Sequence, residues 1–243
     1  MTLLLGALTA NSVVLGADGI EFLHAPGKPK RQDILNCRKL WFSDSMPVVL
    51  GVHGQNRLIE VGSHLESQRL AIEMLSEILF DIAPTTTVRE LCESIYERLA
   101  PDVDYTFQAL AAASILTAPI GILVMGFDSD GGRARCYEAW WPLPHERDTS
   151  RILQHPQNGE LPAVMHSGDG ARFAKTAISH GGRYSVARLN KATASEIQQY
   201  IRTLYDKAES LQSHAAKEFG GHYHEVTVTA DGARWTVDPS DVA

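Results

Sequence analysis

Residues 2–19 read TLLLGALTANSVVLGADG, and this stretch decides the fold. Two apolar runs, over residues 2–8 and 13–17, flank the turn-forming sequence Ala10-Asn11-Ser12. Such runs bounded by turn residues are typical of a β-hairpin. Neither run alternates between apolar and polar residues, which indicates strands that are buried on both faces. The chain is therefore expected to begin with a buried antiparallel hairpin.

Outward from this hairpin, the pattern predicts further strands, two pairs of helices and two more hairpins. We expect an irregular segment over 19–33, strands over 34–42 and 46–52, and a helix that opens at Gly54 with an apolar face from Ile59 to Leu79. A helix over 88–99, capped by Thr87 and Glu90, is followed by a hairpin over 118–127 and 134–140 and a strand over 161–166. A helix beginning at Ser167, a long helix over 193–219 capped by Thr193 and Glu196, and a closing hairpin over 222–229 and 233–237 complete the chain.

This order of elements predicts an α+β protein. Two sheets packed on each other with helix pairs outside, a four-layer αββα sandwich, satisfy it. No long linker rich in Pro, Ser or Gly interrupts the sequence, so a single domain over residues 1–243 is expected.

Composition excludes several classes of function. A net charge of −7 argues against a nucleic-acid partner, which needs clustered Lys and Arg. The three cysteines are far apart, which predicts neither a metal site nor a disulfide framework and fits a reducing cytoplasm. No apolar run has the length of a membrane span, and the N-terminus lacks the features of a signal peptide. No cofactor and no membrane association are expected.

Thr2 follows the initiator methionine, which is normally removed before a small residue. A free N-terminal threonine carries both a nucleophile and a base, because its hydroxyl can attack while its own α-amine takes the proton. An α-amine has a pKa of about 7.7–8.0, close to neutral pH. If Met1 stays in place, the Thr2 nitrogen is an amide and cannot act as a base.

Five segments together resemble the proteasome β-subunit family of N-terminal-nucleophile hydrolases. They are Thr2 itself, Leu15-Gly16-Ala17-Asp18-Gly19, Arg38-Lys39-Leu40, Gly51-Val52-His53-Gly54 and Ser167-Gly168-Asp169-Gly170. The chain is more similar to the bacterial homologues, namely the HslV type, the Anbu type and the beta-proteobacterial proteasome homologue. The segment from Trp140 to Ala163 and the length of the chain favour the last of these.

The resemblance implies a role for each matching residue. Thr2 would attack the scissile carbonyl, Lys39 would assist proton removal from its hydroxyl, and Asp18 would orient Lys39. The Gly54 N–H would donate to the oxyanion, and the Ser167 hydroxyl would hold the Thr2 amine. The resemblance also implies a substrate pocket lined by Glu21, Cys37, Trp41 and Val52.

The sequence departs from the family at one place. The family often has an Asp and a Ser before its Gly-Gly pair to brace the N-terminal threonine. Here Ala216 and Phe219 occupy that stretch, which ends in Gly220-Gly221. We therefore expect a weaker brace on the Thr2 amine.

At the level of function, the resemblance implies a threonine peptidase in a homo-oligomeric ring or stacked double ring. Its substrate would be a peptide or an unfolded protein, and a regulatory ATPase is a possible partner. Two alternatives stay open: a catalytically weak or silent ring protein, and an amidase of the same fold acting on small substrates.

Individually, the residues also have simpler interpretations. Asp18 fits a turn, Lys39 fits a solvated strand edge, and Ser167 fits a helix N-cap.

Overall fold

In the computed structural model, the residues described are 2–23, 31–34, 36–81, 87–115, 117–130, 132–143, 151–180, 186–213 and 218–241. The fold mixes α-helices with antiparallel β-sheets. The strands are β1 (Leu4–Leu8), β2 (Val13–Ala17), β3 (Glu21–Leu23), β4 (Arg31–Ile34), β5 (Leu40–Phe42), β6 (Val48–Gly54), β7 (Arg57–Ile59), β8 (Gln68–Leu70), β9 (Ile120–Phe127), β10 (Ala134–Trp141), β11 (Ile152–Gln154), β12 (Ala163–Ser167), β13 (His224–Thr229) and β14 (Gly232–Val237). The helices are α1 (Ala71–Phe80), α2 (Val88–Ala112), α3 (Ala171–His180) and α4 (Ala194–Ser210), with 3-10 turns at Val186–Lys191 and Pro239–Asp241.

Two five-stranded sheets carry most of the structure. The first has the order β12-β1-β2-β13-β14, and the second has the order β11-β10-β9-β6-β5. The opening hairpin is confirmed: β1 pairs with β2 from Leu4 opposite Ala17 to Leu8 opposite Val13, and every residue of both strands is buried. Strand β12 pairs antiparallel with the other edge of β1, so that Ser167 lies opposite Leu4.

Three hydrophobic clusters account for the buried faces. One cluster joins strands β6, β9 and β10 to helices α1 and α2, and a second joins β1 and β2 to α3 and α4. The third contains residues from both large sheets, including Leu4 and Leu15 of the first sheet and Val49 and Met125 of the second. The two sheets therefore share a core, while each also packs against a pair of helices.

The predicted start of a helix at Gly54 is wrong, because the helix begins only at Ala71. Gly54 ends β6, and the chain then forms the small hairpin β7–β8 before α1 begins at Ala71. Leu58 and Ile59 are buried, and the Ile59 N–H donates to Thr106 Oγ1 of α2 at 2.8 Å. These two apolar residues therefore belong to a strand that packs beside α2, although their spacing continues that of the helix.

Several other elements also differ from the sequence prediction. The segment predicted to be irregular contains the paired strands β3 and β4. The long last helix ends at Ser210, and the side chain of Gln212 beyond it hydrogen-bonds the backbone of residues 218 and 219. By contrast, α2 extends to Ala112, well past the predicted end, and includes Pro101.

Among the helices in the described ranges, none combines the length and the apolar character that crossing a bilayer requires.

Candidate active site

A buried ion pair lies directly behind Thr2. The Asp18 carboxylate accepts a hydrogen bond from the Leu3 N–H at 2.8 Å and one from Lys39 Nζ at 3.0 Å, both at the same oxygen, Oδ1. Its other oxygen, Oδ2, accepts from the Gly220 N–H at 3.3 Å. Asp18 and Lys39 are 0% and 1% exposed, so the pair is shielded from water. The structure thus brings Asp18 and Lys39 together next to the peptide unit that follows Thr2.

Lys39 is fixed by a second bond and by its surroundings. Its ammonium donates to the Ile20 carbonyl oxygen at 2.6 Å. His224 lies nearby, and burial together with the positive charge of Lys39 lowers the pKa of His224 to about 4. His224 is therefore neutral at physiological pH.

Thr2 is held from the other side by the turn that follows β12. The Gly170 N–H donates to the Thr2 carbonyl oxygen at 3.1 Å. Gly168 has a φ of +86°, and a Cβ there would lie 2.3 Å from the same carbonyl oxygen. Only glycine permits this close approach without strain. The Ser-Gly-Asp-Gly segment consequently packs on the backbone of Thr2, which is 1% exposed.

Gly54 also adopts a conformation that favours glycine. Its φ is +81°, and a Cβ would lie 1.8 Å from the Pro119 carbonyl oxygen. The strand β6 therefore turns away at this residue, and Gly54 faces a cavity of about 560 Å³. The lining of that cavity consists of His53, Gly54, Ala118, Pro119, Glu138, Trp140, Leu153, His166, Ser167, Gly168, Asp169 and Ala171.

The Ser167 hydroxyl has partners that the sequence did not predict. Its Oγ lies 2.8 Å from His53 Nε2 and 3.2 Å from Glu138 Oε1. His53 Nε2 and Glu138 Oε1 are themselves 2.6 Å apart. Ser167 belongs to the first sheet, whereas His53 and Glu138 belong to the second, so this cluster connects the two sheets at the cavity wall.

A second histidine completes the surroundings of Glu138. His155 Nε2 lies 2.8 Å from Glu138 Oε2. Burial raises the pKa of Glu138, but the hydrogen bonds of His155 and His53 lower it more, to about 2. Glu138 is therefore a carboxylate at neutral pH. Glu138 is 85 residues from His53 and 17 residues from His155 in the sequence. No local sequence pattern could therefore identify these three residues as one group.

None of the four residues expected to line a substrate pocket lines this cavity. Glu21 forms a two-bond ion pair with Arg57, at 2.6 and 3.0 Å. Cys37 is buried next to it, and burial together with Glu21 raises the pKa of its thiol to about 12. Val52 is a core residue, and Trp41 is half-buried against the same core with the Arg38 guanidinium over its ring.

At the stretch where the family often has a bracing Asp and Ser, Ala216 lies outside the described residues. Phe219 is fully buried and packs against Phe173 and Tyr205. An aromatic ring therefore fills the second of these positions and offers no hydroxyl.

Within the part of the chain that the structure describes, no three His, Cys, Asp or Glu side chains are arranged to hold a metal ion. The described cysteines are all free thiols.

No family model matches the chain, and no curated protein sequence matches it either. Among solved structures, the chain is similar to the Anbu (Gly-1) mutant from Hyphomicrobium sp. strain MC1, with a TM-score of 0.61 and 13% sequence identity. The match covers 97% of this chain and 85% of the other. At this identity the similarity establishes the fold alone, and it agrees with the resemblance carried by the five sequence segments. The chain therefore has a fold similar to that of this Anbu structure.

Proposed function

We propose that the protein is a threonine peptidase in which Thr2, freed by removal of Met1, is the nucleophile. The observation that supports this most directly is the arrangement behind Thr2. There the Asp18 carboxylate binds both the Leu3 N–H and the Lys39 ammonium in a buried setting. A buried ion pair is costly unless its geometry is favourable, so its position next to a potential N-terminal nucleophile supports a catalytic role.

The proposed reaction is acyl transfer to Thr2 followed by hydrolysis. The α-amine accepts the proton of the Thr2 hydroxyl while Oγ attacks the scissile carbonyl carbon. The amine then gives this proton to the leaving nitrogen as the C–N bond breaks, and an ester remains on Thr2. Water, deprotonated by the same amine, hydrolyses the ester and restores the free hydroxyl.

Two further groups would lower the barrier. The positive charge of Lys39 stabilises the alkoxide character that develops on Thr2 Oγ. The Gly54 N–H would donate to the oxyanion, and one such donor contributes about 2.7–4 kcal/mol. Gly54 faces the cavity next to Gly168, the residue that packs on Thr2, which supports this assignment.

We further propose a single domain over residues 1–243 with αββα layers, inferred from the three hydrophobic clusters. Copies of this domain would form a homo-oligomeric ring or stacked double ring in the cytoplasm. Peptides or unfolded proteins would be the substrates, and a regulatory ATPase would be a possible partner.

Intact-mass spectrometry with and without a β-lactone inhibitor tests the proposal. We expect the mature chain to lack Met1 and to gain one inhibitor adduct, which peptide mapping places on Thr2. Thr2→Ala should abolish the adduct. Thr203→Ala, at an exposed position of α4, is the matched control and should keep it. A wild-type chain that has lost Met1 but gains no adduct would contradict the proposal.

A catalytically silent ring protein is the second candidate. It is favoured by the 1% exposure of Thr2 and by Phe219, which takes the place of a bracing hydroxyl. This candidate predicts a ring without an adduct, whereas the remaining alternative, a small-substrate amidase, predicts an adduct on a much smaller particle.

A further inference from the structure

Glu138 is the centre of a buried hydrogen-bonded cluster beside the proposed nucleophile. Its Oε1 atom contacts His53 Nε2 at 2.6 Å and Ser167 Oγ at 3.2 Å, and its Oε2 atom contacts His155 Nε2 at 2.8 Å. His53 and Glu138 are only 4% and 5% exposed. Burying a carboxylate is costly unless it is paired and hydrogen-bonded, and Glu138 meets this requirement through two histidines and one serine.

The charge state of Glu138 fixes the direction of these hydrogen bonds. Because Glu138 is ionised, its oxygens can only accept. Both histidines must therefore present an N–H to it from Nε2, and Ser167 donates its O–H. In this arrangement His53 cannot also take the proton of Ser167, so the serine is not an activated nucleophile. The lone pairs of its oxygen remain able to accept a hydrogen bond.

The strand register places Ser167 toward Thr2. Ser167 lies opposite Leu4 in the antiparallel pair of β12 with β1. Side chains alternate along a strand, so Thr2, two residues before Leu4, is on the same face as Leu4 and Ser167. Diagonal neighbours of this kind are about 7–8 Å apart between Cα atoms, which brings the Ser167 side chain and the Thr2 backbone to the same side of the strand pair. The bond from the Gly170 N–H to the Thr2 carbonyl continues the contact between the two segments.

We propose that Glu138, with His53 and His155, is a positioning group that holds Ser167 as the hydrogen-bond acceptor for the Thr2 α-amine. The inference rests on the proposed function. Phe219 has no hydroxyl that could hold the Thr2 amine. In the proposed arrangement Ser167, oriented by residues of the second sheet, holds the amine instead. The amine then points its own lone pair toward the Thr2 hydroxyl when it acts as a base.

A double-mutant cycle on the rate of β-lactone capture tests this role. Glu138→Gln replaces one acceptor oxygen by an NH₂ group that faces N–H donors, so Ser167 loses its fixed orientation. We expect capture to slow about tenfold to a hundredfold in Glu138→Gln and in Ser167→Ala, with the inhibitor's initial binding constant unchanged. The double variant should react at about the rate of Ser167→Ala, because both changes interrupt one pathway.

Two further variants separate positioning from folding. His155→Ala changes the outer end of the cluster, where the side chain is 27% exposed, and should slow capture by a smaller factor in a stably folded protein. Glu225→Gln is the matched control, since it also replaces a buried glutamate, in β13, and should leave the rate unchanged.

The outcomes distinguish this inference from the proposed function. Two results would overturn the positioning role alone, provided that the wild type captures the β-lactone. One is an unchanged capture rate in Glu138→Gln, and the other is a double variant whose rate loss is the product of the two single losses. Absence of capture in the processed wild type would overturn both.

Discussion

Gly54 illustrates how a single backbone conformation shapes the site. Its left-handed φ and the nearby Pro119 carbonyl leave no room for a side chain. We expect Gly54→Ala to lower the free energy of unfolding by about 2–5 kcal/mol. About 1–2 kcal/mol would come from the left-handed conformation, and about 1–3 kcal/mol would come from the steric overlap. Urea-induced unfolding measures the difference.

Gly62 provides the control for this prediction. It has nearly the same conformation, with a φ of +84°, but a Cβ there would meet no atom within 4 Å. Gly62→Ala should therefore lower the free energy of unfolding only by the about 1–2 kcal/mol that the left-handed conformation costs. Equal losses of unfolding free energy in the two variants would show that the backbone near Pro119 moves away from the new Cβ at no cost.

Glu225 gives a pH dependence at the residue scale. Burial raises its pKa from 4.5 to about 7, although the hydrogen bond from Tyr223 at 2.6 Å and the charge of Arg202 oppose this. Between pH 4.5 and 7 the folded protein retains a proton that the unfolded chain has released. Raising the pH therefore favours unfolding in this window, and the loss levels off above pH 7.

The measurement compares the wild type with Glu225→Gln, which cannot titrate. Relative to the variant, the wild type should lose about 3 kcal/mol of unfolding free energy between pH 4.5 and 7. Other groups titrate equally in both proteins and cancel. Parallel stability curves across this range would mean that Glu225 is ionised in the folded state already at low pH.

At the scale of elements, the capping signals predicted from the sequence are present. Thr193 and Glu196 form a reciprocal capping box at the start of α4. Thr193→Ala should cost about 0.5–2 kcal/mol in unfolding free energy, because the Glu196 N–H loses its acceptor. Thr203→Ala, at an exposed position inside the same helix, should change stability by less than about 0.5 kcal/mol. Thermal unfolding of both variants measures this difference in stability. Similar shifts of the unfolding temperature in the two variants would mean that the Thr193 cap does not stabilise α4.

Elements defined by local signals were predictable, whereas those defined by distant contacts were not. The opening hairpin and the capped starts of α2 and α4 follow from neighbouring residues, and the structure contains them. The hairpin β7–β8 was mistaken for a helix, because only its packing beside Thr106 of α2 distinguishes it.

The same distinction applies to the candidate site. Thr2, Asp18 and Lys39 could be proposed from a resemblance in the sequence, and the structure places Asp18 and Lys39 together next to Thr2. Glu138 and His155 belong to no recognisable motif. Glu138 meets Ser167 only because the two sheets face each other, which no spacing along the chain encodes. His155 in turn contacts Glu138 from the chain that follows the neighbouring strand β11.

At the scale of the whole molecule, the proposed ring has a measurable consequence. Phe80, at the end of α1, is 91% exposed, more than any other large apolar side chain at the described positions. If α1 packs against a neighbouring copy, Phe80→Asp should break the assembly, because a charge would be buried there without a partner. Thr203→Asp, on α4, introduces the same charge at an exposed polar position and serves as the control.

Size-exclusion chromatography with light scattering tests this prediction. The wild type and Thr203→Asp should appear at several hundred kilodaltons, and Phe80→Asp should shift toward the 26.7 kDa of one chain. A wild type that is monomeric would contradict the ring itself. A ring that survives Phe80→Asp would instead exclude the end of α1 from the subunit interface. Val61 and Leu211, the remaining large apolar side chains that are exposed within the described ranges, would then be the next residues to test.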